Sequence, residues 1–334
     1  QYGDVLLQRD LRMAIAEYAP GSSVVANKNL WTSHFVKKVA GKEWPERAYA
    51  VCRTHGVLGV APEGSDEVSL GCGCPPGPLR KYIVPMFGFT TGRSGPTEPH
   101  GRPSASFTTR PYFLGLRRDD GQITFPERSA KPLVSITKAA PGEMLVLCQG
   151  HKARLFFVCP ACGAGFTTRK TSHEDAFGRS CRGTLKPVAL GHSFVTDVVR
   201  LDFHVPGPSD AIAREWFGHS LAYALLEGAA EALQVPSTDL NVVVTYRGSA
   251  EGPSMVLYDD VPGGAGLVAR LESEEVLRES ASKAYQRVEG RCGCDSDSSC
   301  YGCLRTYRNQ FAHHGLRRGP VKEYLATMLG LWDG

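Results

Sequence analysis

Four cysteines packed into the stretch Arg291–Leu304 constrain this chain more than any other feature. Cys292, Cys294, Cys300 and Cys303 follow a Cys-x-Cys-x5-Cys-x2-Cys spacing, with only small or polar residues and one tyrosine between them. Such a segment has no apolar side chains with which to build a core, but its four sulfurs can surround one tetrahedral ion at about 2.3 Å each, and zinc suits all-thiolate ligation best. A closed set of this kind leaves no open coordination position, so the expected role is structural rather than catalytic. The alternative is a pair of disulfides, or loop cysteines without a role. The remaining cysteines argue against it, because they fall into similar short pairs.

Two further sets repeat the pattern. Cys159-Pro160-Ala161-Cys162-Gly163 has the Cys-x2-Cys-Gly turn of a zinc knuckle, and Cys181 with His173 would complete a Cys3His site. Upstream, Cys52 and His55 face Cys72 and Cys74 across a polar loop. Together these predict a second knuckle, with a solvent-facing His55 and a different fourth ligand as the alternative. Up to three structural zinc ions are therefore expected. The eleventh cysteine, Cys148, lies in an apolar run and is read as a small buried hydrophobe.

The chain has 334 residues, 42% of them hydrophobic, so it can bury cores of its own without disulfide staples. Lys+Arg of 38 against Asp+Glu of 34 gives a charge of +4, which favours no partner by itself. No run reaches the ~20 apolar residues of a membrane-spanning helix. Paired cysteines without a leading signal peptide give the expectation of a reducing, cytoplasmic setting. The opening on Gln1 gives the expectation of a piece of a longer protein.

Patterning predicts an α+β fold: a small mixed sheet packed with helices, carrying zinc-knuckle and zinc-ribbon insertions. Three regions are expected: a connector over 1–140 containing the 52–74 knuckle, a ribbon over 141–192, and an α+β zinc-binding unit over 193–334. Asp10 is a candidate N-cap for a short helix ended by Ala19-Pro20-Gly21. Strands are expected at Tyr82–Phe89, at Phe107–Thr109, and at 144–148 and 155–158 as a hairpin, and a period-two strand is expected over 196–203. The loop from Thr91 to Pro103, with Arg93, His100 and Arg102, is a candidate phosphate-contacting arm, or simply a solvated loop. Apolar residues at helical spacing predict an amphipathic helix over 210–234. Further helices are expected at 267–271, 273–289 and 320–332.

The sequence has no Gly-x4-Gly-Lys-Ser/Thr loop, no His-Glu-x2-His helix and no Gly-x-Ser-x-Gly elbow, so no catalytic residue is assigned. Nucleic-acid contacts are assigned in two places. Arg305, Tyr307, Arg308, Arg317, Arg318 and Lys322 follow the last cysteine set, where basic and aromatic side chains can hold a single strand by phosphate contact and stacking. Gly263 and Gly264, in Pro262-Gly263-Gly264-Ala265-Gly266, could present free backbone N–H groups to a phosphate. The alternatives are a salt-bridged helix surface for the first and, for the second, a tight turn bonded by Asp259 or Asp260.

Three motifs carry a family resemblance over the last 140 residues. They are Asp259-Asp260-Val261-Pro262-Gly263-Gly264-Ala265-Gly266, then Cys300-Tyr301-Gly302-Cys303-Leu304 with Asn309-Gln310, His313 or His314 and Leu316-Arg317-Arg318, and finally Phe194-Val195-Thr196-Asp197. This region resembles the zinc-binding C-terminal domain of MrfA-type superfamily 2 helicases, shared with the DrmB component of the DISARM anti-phage system. Glu17-Tyr18-Ala19-Pro20-Gly21 resembles a segment that precedes the zinc domain in the helicase members. The resemblance implies an accessory region of a DNA helicase or translocase in repair or phage defence. The motor would lie elsewhere in the same polypeptide or on a partner chain, and the DNA partner would be single-stranded DNA or another helicase substrate. The alternative is a protein-interaction scaffold that docks a helicase to partner subunits through the apolar faces of helices 210–234 and 320–332.

Overall fold

The computed structural model describes all residues except 1–4, 53, 94, 100–106, 128–130, 210, 246–251 and 334. His100, Arg102 and Asp210 therefore lie outside the described residues. Arg93, the third member of the expected arm, donates to the Phe177 carbonyl at 3.1 Å.

One 12-stranded mixed sheet runs through the molecule. Its strands are β1 (Glu46–Val51), β2 (Leu58–Val60), β3 (Arg80–Ile83), β4 (Thr109–Leu116), β5 (Gln122–Phe125), β6 (Val134–Thr137), β7 (Ala140–Cys148), β8 (Phe156–Val158), β9 (Gly165–Phe166), β10 (Lys186–Phe203), β11 (Leu240–Thr245) and β12 (Ser254–Asp259). The 18-residue β10 is the spine. Near its start it pairs with β8 and, in parallel, with β3. Farther along it pairs antiparallel with β7, β6 and β12. Val198 is bonded into the sheet through Ala140 on one side and Tyr258 on the other. The boundary expected at 192/193 falls inside this strand, so the ribbon and the C-terminal unit share a sheet.

Side-chain alternation sorts the strands onto two cores. On one face lie Val199, Leu201 and Phe203 of β10, Leu240 and Val242 of β11, and Met255 and Leu257 of β12, packed under the C-terminal helices. On the other lie Val198, Val243, Val256 and Tyr258, continuous with Met144, Val146, Phe156 and the short helix α1 (Leu11–Glu17). Asp10 caps α1 as expected, accepting from the Arg12 N–H at 2.9 Å.

Helix α2 (Ala211–Leu233) differs from the amphipathic expectation. Phe217, Leu221, Ala222, Tyr223, Ala224, Leu225, Leu226, Ala229, Ala230 and Leu233 are all buried, which places apolar residues around most of its circumference. The reason is that α2 is an inner helix. The sheet covers one side, and α3 (Glu274–Val288) and α4 (Arg318–Asp333) cover the others. A Cβ on Gly228 would fall 2.2 Å from the Ser280 carbonyl oxygen, so glycine lets α2 and α3 approach backbone to backbone.

One expected strand and one expected hairpin did not form. The 82–89 strand breaks in two at Pro85, leaving β3 and a separate pair between Phe35–Val36 and Phe89–Thr90. β7 and β8 are not a hairpin: they lie end to end along β10, Cys148 opposite Leu190 and Phe156 opposite Val188. Left-handed backbone at Gly150, Lys152, Ala153 and Leu155 redirects the chain between them.

Candidate metal centres

The structure gathers the expected ligands into three clusters: Cys52, His55, Cys72 and Cys74; Cys159, Cys162, His173 and Cys181; Cys292, Cys294, Cys300 and Cys303. In each, one ligand atom per residue lies within 4.8 Å of all the others. Four sulfurs at about 2.3 Å from a tetrahedral ion stand roughly 3.8 Å apart. The observed spacings match: Cys294 to Cys303 and Cys300 to Cys303 are both 3.8 Å, Cys159 to Cys181 is 3.9 Å, and Cys292 to Cys294 is 3.5 Å. A disulfide requires about 2.05 Å. The donors are therefore arranged around a shared centre rather than bonded in pairs.

Local backbone chemistry explains each grouping. In the second cluster Cys159 donates its N–H to the Ala164 carbonyl, and Gly163 donates back to the Cys159 carbonyl, both at 2.8 Å. Gly163 has φ +83°, and a Cβ there would meet the Val36 carbonyl at 2.2 Å, so no other residue fits this knuckle. His173 and Cys181 face one another across a two-residue ladder. The buried Nε2 of His173 has no hydrogen-bond partner, as expected of a nitrogen reserved for an ion. In the first cluster His55 Nδ1 stands 3.5 Å from both Cys52 and Cys74 sulfurs.

Each cluster also holds one thiol that is easier to ionise than usual. The Cys294 N–H brings Cys292 down to about 7, and the Gly183 N–H lowers Cys181. Burial opposes ionisation at Cys52, but N–H groups of the following turn, His55 first, bring it down on balance. Burial pushes Cys162 and Cys303 up to about 12. Each cluster thus has one thiol biased toward ionisation, and a divalent cation favours the thiolate form of the rest. Three Cys/His clusters that can hold zinc ions are present. Cys148 lies apart on β7, its thiol raised to about 12 by burial.

The C-terminal knot is tied directly to the main core. Arg318 donates to the Cys294 carbonyl at 2.6 and 3.0 Å and to the Val288 carbonyl at 3.3 Å, and Arg287 donates to the Cys303 carbonyl at 2.8 Å. Leu304 and Leu316 close the knot onto α2 to α4. Asn309 is fully buried; its amide donates to the Leu304 carbonyl, and its oxygen accepts from the Thr306 N–H. His313 Nε2 is within 2.9 Å of Asn309 and the Thr306 carbonyl, and His314 packs on Trp216, so neither joins the four thiols.

The basic cluster after the knot divides into two groups. Arg308 reaches the carbonyls of Ser237, Thr238 and Leu240 as well as Asp260, which also pairs with Arg12 at 2.8 Å. Arg308 and Arg318 are thus committed to the fold. Tyr301 and Tyr307 are 64% and 75% exposed; of the remaining basic residues, Arg305 makes one bond to the Ser299 hydroxyl and Arg317 one to the Asp297 carbonyl through their guanidinium groups. At the Pro262–Gly266 turn the N–H groups already have partners. Asp259 accepts from Ala265, Leu267 and Val268, Asp197 from Gly266, and the carbonyls of Val195 and Val261 from Gly263 and Gly264. None of these is left for a phosphate. The two aspartates take the anion's place.

The region around the C-terminal knot, from the middle of α2 to the last cysteine, has a known counterpart. Residues 221–304 match the family described as the MrfA Zn-binding domain. The match to the MrfA Zn-binding domain holds one of the three clusters, the all-cysteine one, together with α3, β11 and β12. The chain is also similar to Druantia protein DruE of Escherichia coli (strain UMEA 4076-1), 29% identical over 192 residues covering 49% of this chain and 10% of DruE. Similar solved structures are the DUF1998 helicase MrfA bound to DNA, with TM-score 0.37 and 15% identity over 67% of this chain and 25% of that one, and MrfA bound to DNA and AMPPNP, with TM-score 0.31 and 14% identity over 74% and 26%. This chain spans about a tenth of the length of DruE.

Proposed function

We propose that this chain is a zinc-stabilised accessory module of a superfamily 2 DNA helicase or translocase, supporting DNA binding in repair or anti-phage defence. The observation that carries the reading is the match of residues 221–304 to the MrfA Zn-binding domain, around a four-cysteine cluster of tetrahedral size. Zinc is held by Cys292, Cys294, Cys300 and Cys303, by Cys159, Cys162, His173 and Cys181, and by Cys52, His55, Cys72 and Cys74. Its work is mechanical: it fixes loops that have no core of their own. The strand contact lies on Tyr307, Arg305, Arg317 and Lys322, with Tyr301 beside them, where exposed rings can stack on bases at about 1–3 kcal/mol each. Hydrolysis of ATP falls to a motor elsewhere in the polypeptide or on a partner chain.

A scaffold docking through apolar helix faces has less support. On α2 the face from Phe217 to Leu233 is buried inside the domain, and on α4 Val321, Tyr324, Leu325 and Met328 are buried as well. Titration of labelled single-stranded and duplex DNA at two salt concentrations tests the proposal. Affinity that falls steeply with salt supports it; absence of binding at low salt contradicts it.

A further inference from the structure

Away from the exposed tyrosines, a shallow cleft open to solvent lies between the first knuckle and the segment that follows the C-terminal knot. Its walls include Val57, Arg110 and Tyr112 of β4, His219 and Tyr223 of α2, and Phe311. No acidic side chain lines it among the described residues.

Arg110 is half-buried, and its guanidinium stands 5.2 Å from the centre of the Tyr112 ring and 5.5 Å from that of Phe311. It has no carboxylate or carbonyl partner among the described residues. The other basic side chains of this region behave differently: Arg308 and Arg318 are fully engaged by carbonyls and Asp260. The two rings hold the guanidinium in place, and its N–H donors remain available to an anion arriving from solvent. Tyr223 is 8% exposed and Tyr112 5%, and neither hydroxyl has a partner among the described residues. His219 packs between Trp216 at 5.1 Å and Phe311 at 6.3 Å; burial first, and then Arg110, hold it neutral to about pH 4. The cleft therefore presents one fixed positive charge among flat aromatic and apolar faces. That composition suits a tetrahedral oxyanion attached to a planar ring.

Both walls depend on the proposed metal sites. Val57 accepts from the Cys52 N–H and Gly56 donates to the Cys52 carbonyl, each at 2.8 Å, so the first knuckle sets that side. Phe311 belongs to the 3-10 turn Tyr307–Ala312, which begins four residues after Cys303.

We propose that this cleft binds a nucleoside phosphate, with the phosphate on Arg110 and the base against Phe311, and that its source is a backbone nucleotide of the bound strand. The strand as source rests on the DNA-binding function proposed above; the nucleotide chemistry does not. The test uses the zinc-loaded full chain, with Arg110→Gln and Arg110→Lys as variants and melting temperature checked for each. Anisotropy of a labelled oligothymidylate reads strand binding, and the His219 ring signals in NMR read occupancy by the oligonucleotide or by thymidine monophosphate.

The expected result is that Arg110→Gln weakens strand binding about tenfold and lowers the salt slope by about one, that Arg110→Lys recovers part of the loss, and that both ligands shift His219 in the parent only. If the strand binds but Arg110→Gln has unchanged affinity and His219 does not move, the cleft is not a subsite and the DNA-binding function stands. If the strand does not bind but thymidine monophosphate shifts His219 in an Arg110-dependent way, the ligand is a free nucleotide and the DNA-binding function falls. If neither ligand moves His219, the cleft assignment is overturned.

Discussion

The first knuckle and the C-terminal knot have nearly the same ligands but sit very differently in the fold. Around Cys52 the chain packs a small cluster of Ala48, Ala50, Ala61, Val68 and Leu70 at the β1–β2 end of the sheet. Around Cys303 it packs against the largest core of the molecule, and Arg287 and Arg318 reach from α3 and α4 to the knot's own carbonyls. Identical chemistry should therefore have unequal consequences: at the knot, metal and core share one cooperative unit, while at the knuckle they form a local one.

Substituting Cys303, which is 1% exposed, sharpens the contrast most. Structural zinc contributes on the order of 10 kcal/mol, so Cys303→Ser should leave most of the protein insoluble or unfolded by circular dichroism. Soluble protein with unchanged melting would erase the distinction. Cys74→Ser, at the half-buried knuckle, should give folded protein with one zinc fewer per chain and the main thermal transition retained.

Between those extremes lies the coupling itself. Arg318→Ala removes charged donors from two carbonyls, a change worth about 2–4 kcal/mol. It should lower the melting temperature and loosen the C-terminal zinc alone, seen as faster release to a chelator. Equal loosening at all three sites would mean that the knot is not specially tied to the core. Acid should release zinc from every cluster, because protons compete for the thiolates.

The smallest effect should come from Asp260, which joins Arg12 of α1 to Arg308 behind the knot. Its carboxylate is about four-fifths covered, and burial raises its pKa while the two arginines oppose the shift. Asp260→Asn should cost only about 1 kcal/mol in chemical denaturation, since the pairs are partly exposed and Arg308 keeps its three carbonyl partners. A loss as large as that of Arg318→Ala would mean that α1 and the knot are held together mainly by this one carboxylate.

The same contrast separates what could be read in the sequence from what could not. Metal clusters are built from close neighbours along the chain, so the Cys-x2-Cys and Cys-x-Cys spacings led to groupings that the fold brings together. The Asp10 cap and the helices of the last 130 residues were legible for the same local reason. Long-range pairing was not. Nothing in 144–158 announces that its two apolar runs lie end to end on β10 rather than against each other. The buried circumference of α2 depends on α3 and α4, which come forty or more residues later. The N–H groups of Gly263 and Gly264 are taken by the carbonyls of Val195 and Val261, and the first of these comes from over sixty residues upstream. Arg110 carried no signal beyond being a charge in an aromatic strand; it acquires meaning only where residues from 57, 219 and 311 meet.

Elemental analysis of the purified chain tests the central claim most directly. Three zinc ions per polypeptide, lost together with the C-terminal fold on exhaustive chelation, is the predicted result. One ion or none, with the thiols of Cys292, Cys294, Cys300 and Cys303 free to react in folded protein, would contradict it.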